Sequence, residues 1–101
     1  MTAAREWLAA REPKAPADLA ERMTEQAAAA CSESDIPGEV AMAAATEELR
    51  RALERPGRVR ASALSLLVAD AWITCACEAA LEADDPVTGL RAMTERIGRL
   101  R

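Results

Sequence analysis

Few residues in this chain are able to do chemistry, and their spacing argues against most of it. There is no histidine, so proton transfer near neutral pH would fall to carboxylates. Asp70, Thr74 and Glu78 step by four, with Glu82 continuing the series. On a helix that spacing makes one polar stripe. Read as catalysis, Asp70 and Glu78 would be carboxylates in a cleft with raised pKa values. No obvious nucleophile, paired base or glycine-rich phosphate loop accompanies them. The stripe is therefore read as the solvated edge of a buried helix, and a small enzyme using Asp70 and Glu78 is the lesser alternative.

The thiols are Cys31, Cys75 and Cys77. Helical residues two apart point about 200° from each other, so Cys75 and Cys77 can neither bridge nor share a metal. Zinc usually takes four Cys or His ligands, and this chain has three Cys and no His. The expectation is small core fillers, reduced because their number is odd and the setting is reducing. No catalytic residue, metal, cofactor or small-molecule ligand is inferred.

Asp84-Asp85 could supply half of an aspartate-rich magnesium site. Gly57-Arg58-Val59-Arg60, with the leucines that follow, resembles the substrate-binding segment of polyprenyl synthases over about a dozen residues. The aspartate motif is not completed downstream and the helices are too few, so Asp85 is assigned to helix capping instead.

Arg50, Arg51, Arg55, Arg58 and Arg60 fall within eleven residues around Pro56-Gly57, opposed only by Glu54. Arginine at a helix C-terminus is favoured by the dipole, and arginines in a turn can clamp phosphates or carboxylates. Arg51, Arg55, Arg58 and Arg60 are thus candidate anion-binding residues. Nucleic acid is not the expected partner, because no stacking aromatic lies nearby and the protein is acidic. Residues 1–50 carry ten acids against five bases, net -5, and residues 51–101 carry seven against eight, net +1, summing to -4.

The elements that must position these groups follow from composition and breaks. Half of the 101 residues are apolar, alanine dominates them, and Trp7 and Trp72 are the only aromatics. Alanine has the best helix propensity, while strands would need β-branched and aromatic runs. Prolines and glycines then divide the chain into helices at about 2–11, 16–31, 37–54, 61–83 and 86–100. Thr2 would cap the first and Pro16 would open the second. Met42, Ala45, Leu49 and Leu53 make a core stripe on the third, with Glu47, Glu48, Arg50 and Arg51 opposite. Val87, Leu90, Met93, Ile97 and Leu100 line the fifth. Between Ala63 and Leu81 the fourth carries only Asp70 and Glu78 as charges, so it must be covered on nearly every side.

The expected fold is all-α, a single domain of residues 1–101: a small bundle of four to five helices around the mostly apolar fourth, with the first as a lid held by Trp7. The N-terminus has no signal-like apolar region and no uncharged apolar run reaches about 18 residues, which points to the cytoplasm. The arginine and alanine bias suggests a GC-rich bacterial genome. The functional expectation is a protein-interaction module, self-associating or bound to another protein, with Trp7, Leu66, Trp72 and Ile73 as candidate interface. An anion- or nucleic-acid-binding regulator through the Arg50 to Arg60 elbow is the alternative.

Overall fold

A computed structural model describes residues 3–11, 16–54 and 60–100. The cap expected from Thr2, the break at residues 12–15 and the turn at Pro56-Gly57 lie outside the described residues. Five helices follow one another: α1 (Ala3–Ala9), α2 (Ala17–Ala30), α3 (Pro37–Glu54), α4 (Arg60–Glu82) and α5 (Pro86–Gly98). No strand occurs among the described residues. The protein is all-α, as its composition implies, with the apolar α4 at the centre.

The helix starts differ in how their first amides are satisfied. Pro16 stands just before α2 rather than inside it. Its φ of -53° suits a helix but its ψ of 149° is extended, and its carbonyl accepts from the Leu19 and Ala20 amides at 3.0 and 2.8 Å. The start of α5 is closed locally: Asp85 accepts from the Thr88 amide at 3.2 Å and from the Thr88 hydroxyl at 2.6 Å. The start of α1 is closed from far along the chain, by Asp35 accepting from the Ala3 and Ala4 amides at 3.3 and 3.0 Å. A seven-residue helix is too short to persist alone, so this carboxylate and the packing of α1 on α3 hold it in place.

Packing is led by the α3–α4 pair, with α2 laid against both and α5 against α4. Alanine makes the pair close: Ala41, Ala44 and Ala45 of α3 are buried in one cluster with Ala76 of α4. Trp72 supplies the volume that the alanines lack. It is 1% exposed, and burying an indole of roughly 200 Å² stabilises by about 5 kcal/mol before opposing terms. Ala27, Met42 and Val68 complete the cluster, and Leu19, Met23, Ile73, Met93 and Ile97 are half-buried around it.

Two expected stripes run out before their ends. On α3, Met42 and Ala45 are buried and Leu49 half-buried, but Leu53 in the last turn is 58% exposed. On α5, Leu90, Met93 and Ile97 are half-buried, whereas Val87 is 63% exposed and no residue is fully buried; the helix ends at Gly98, so the half-buried Leu100 lies in the turn beyond it. The α5 helix packs against α4, with an added Cβ at Gly89 falling 3.4 Å from the Ala80 Cβ.

Candidate functional site

Two features of this bundle could carry function: an exposed strip on α4 and a polar node between α2, α3 and α4. The strip follows from the helix period. At 3.6 residues per turn, Arg60, Ala63, Leu67, Asp70, Thr74 and Leu81 fall within about 80° of one another, and all six are exposed. Leu66 borders the strip. Leu66, Leu67 and Leu81 are 53%, 58% and 66% exposed. A helix buried along its opposite face thus presents three leucines to solvent, flanked by a cation and a carboxylate.

The node is built around Glu48, which is fully buried. Sequence patterning places it opposite the core; the structure places it on the buried side. Arg22 donates to both its oxygens, Nε to Oε1 and Nη2 to Oε2, each at 2.9 Å. Arg51 Nη1 adds a third bond at 3.2 Å and Gln26 Nε2 a fourth. Gln26 also accepts from Trp72 Nε1 at 2.8 Å, and Arg22 Nη2 reaches Ser65 Oγ at 3.4 Å. A buried carboxylate with four donors is satisfied, so the node fixes α2 against α3 and α4 instead of leaving a base ready to react. The shallow groove above it is lined by Asp18, Glu21, Glu25, Arg22 and Arg51, charges of both signs with no nucleophile among them. One signal marked Glu48 beforehand: it lies three, four and seven residues after Ala45, Ala44 and Ala41, on their face.

The candidate interface residues separate. Leu66 is exposed and Ile73 is half-buried against the core. Trp72, expected as an anchor for a partner, is inside the core, since its N–H finds Gln26 and its ring finds the alanine seam. Trp7 is half-buried on α1, where Nε1 donates to Glu82 Oε2 at 2.6 Å and the Arg11 guanidinium lies 4.1 Å from the ring centroid. This contact ties the lid to the far end of α4. Arg11 also pairs with Glu78 at 3.2 Å and Glu82 at 3.3 Å, so two members of the carboxylate stripe serve α1. Asp70 and Thr74 are exposed, the Thr74 hydroxyl bonding back to the Asp70 carbonyl at 3.0 Å. The stripe is not gathered into a cleft.

The arginine elbow divides. Arg51 is engaged by Glu48 and, at 3.5 Å, by Glu47, while Arg50 pairs with Glu54 at 3.1 Å and with Glu47. The hydrogen bond from Arg50 holds the Glu47 carboxyl below the ordinary glutamate range, its partial burial opposing and the Arg50 and Arg51 charges adding to the shift. Arg60 is exposed at the first residue of α4, and Arg55 and Arg58 lie outside the described residues.

All three cysteines are free and half-buried. Burial pushes the Cys75 thiol up, and the Glu78 charge adds to this against Arg11. Among the described residues no group of three metal-ligating side chains comes together. By length and composition alone, α4 could cross a membrane, since it has 23 residues and an 18-residue stretch of mean hydropathy 1.6. Comparison with known proteins supplies no relative: no family model, curated protein or solved structure matches the chain.

Proposed function

We propose that this protein is a helical interaction module that docks another protein chain on the exposed strip of α4. The observation that carries the reading is the adjacent pair Leu66 and Leu67, each more than half exposed on a helix whose opposite face is buried. Exposed leucines scattered singly are ordinary on a surface, but neighbouring ones on a small-residue helix form a patch that another chain can cover. The polar node supports the same reading, because it rigidifies α2, α3 and α4 and so presents the strip without an ordering cost on binding. Three carboxylates within α4, Asp70, Glu78 and Glu82, and its packing on α3 fit a bundle in the aqueous cytoplasm better than a membrane span.

The test is a photo-reactive amino acid in place of Leu67 in the full chain, expressed in the native host, beside the same residue in place of Arg91, exposed on α5. The reading expects a discrete cross-linked protein product from position 67 and none from position 91. No product from 67, or the same products from both, would overturn it.

A further inference from the structure

The occupant of the α4 strip is legible in its charges. We infer that the strip pairs with the same strip of a second copy, antiparallel, about a two-fold axis level with Ser65; this rests on the strip being a docking surface. Arg60 and Asp70 are both exposed and ten residues apart, about 15 Å along the helix. With the axis midway, Arg60 of each copy faces Asp70 of the other, and symmetry makes the pair twice. In the same register Leu67 lies over Ala63 of the second copy, a large side chain on a small one, which lets the helices approach.

Other registers match less well. Parallel, in-register pairing sets Arg60 on Arg60 and Asp70 on Asp70. An antiparallel axis at Asp70 opposes two carboxylates. An axis level with Trp72 pairs Ala63 with Leu81 but presses Glu78 onto Leu66 and leaves Asp70 facing Thr74. Only the axis at Ser65 satisfies both charges, and unlike charges across an interface fix register more than they add affinity. The position of Arg60 is informative by itself. A cation on the first residue of a helix faces the positive end of the dipole, so α4 gains nothing from it there. Its charge is useful to something lying across the strip.

The same dipole makes the test clean, since an acid at position 60 favours the start of α4 and an association defect cannot be put down to a lost helix. Sedimentation equilibrium at micromolar concentration would be run on the wild type, R60D, D70R and R60D/D70R, with circular dichroism confirming helicity of each. A dimer of twice 10.8 kDa is expected for the wild type. Each single variant should dissociate about tenfold more readily, because like charges then meet twice, and the double variant should return to within about threefold of wild type. A wild-type monomer would overturn the self-pairing while leaving cross-linking at position 67 to decide whether a different protein docks there. A dimer indifferent to the single variants, or one not restored in the double, would overturn the register.

Discussion

Arg22 and Glu48 meet side-on between α2 and α3, Nε to Oε1 and Nη2 to Oε2, at 2.9 Å each. Removing one partner from such a pair leaves a buried charge short of donors, a change that ordinarily costs about 3–5 kcal/mol. Gln26 and Arg51 still serve Glu48, so R22M is expected to destabilise by about 3 kcal/mol in urea denaturation at neutral pH. R22M/E48M should recover most of that loss, since the uncompensated carboxylate is gone. A single-variant cost below about 0.5 kcal/mol would mean that water reaches the carboxylate after all.

Trp7 predicts a local effect. In W7A, α1 loses both the indole bond to Glu82 and the stacked Arg11, and the helix is too short to stand without them. Hydrogen exchange of the α1 amides should rise to near unfolded rates while amides of α3 and α4 keep their protection. Exchange rising equally across all helices would show that α1 belongs to the core unit.

The cap on α5 sets a pH dependence. The Thr88 hydroxyl, and then the Thr88 amide, hold the Asp85 carboxyl below its usual 3.8. A carboxylate depressed in the folded state contributes fully above its unfolded value and loses that contribution as pH falls through the folded one. D85A should therefore unfold at lower urea than wild type at neutral pH, and the two midpoints should converge as the pH falls below about 4. A difference that persists at the acid end would assign the effect to packing.

Thiol reactivity gives a further check. Because burial and the neighbouring Glu78 raise Cys75, it should react with a disulfide reagent several-fold more slowly than Cys31 near pH 8, measured on single-cysteine variants. E78Q should quicken it. Equal rates at the two thiols would remove the burial argument.

An improvement is also available at Gly38. A Cβ there would meet only the Ala79 Cβ at 3.6 Å, an ordinary contact. Alanine is the better helix former, so G38A should stabilise by about 0.5–1 kcal/mol, visible as a higher urea midpoint.

The helices were legible because their breaks are covalent: Pro16, Pro37 and Pro86 restrict φ and lack an amide, and they act wherever they stand. The cap from Asp35 onto Ala3 and Ala4 was not, because its partner lies more than thirty residues away and nothing near Ala3 encodes it. Glu48 was misplaced for a related reason. A charge among Glu47, Arg50 and Arg51 reads as solvated until Arg22 and Gln26 arrive from another helix to satisfy it. Trp72 was seen as a large apolar group on α4, but which side of α4 faces the core depends on where α2 lands. The exposure of Leu66 and Leu67 was half visible: an all-round apolar helix announces that something must cover it, without saying which side is left over.

The alanine seam between α3 and α4 also bears on how this sequence can change over generations. Where cores are built of leucine and isoleucine, the common injury is truncation, and the structure settles around the hole. Here Ala41, Ala44, Ala45 and Ala76 have nothing left to truncate except a methyl, and each is almost fully enclosed. The hazard runs the other way: one added branch at any of them must push two helices apart along their shared length. Natural variation in the seam is thus bounded by a steric ceiling, and among relatives it should exchange alanine with glycine or serine far more readily than with valine.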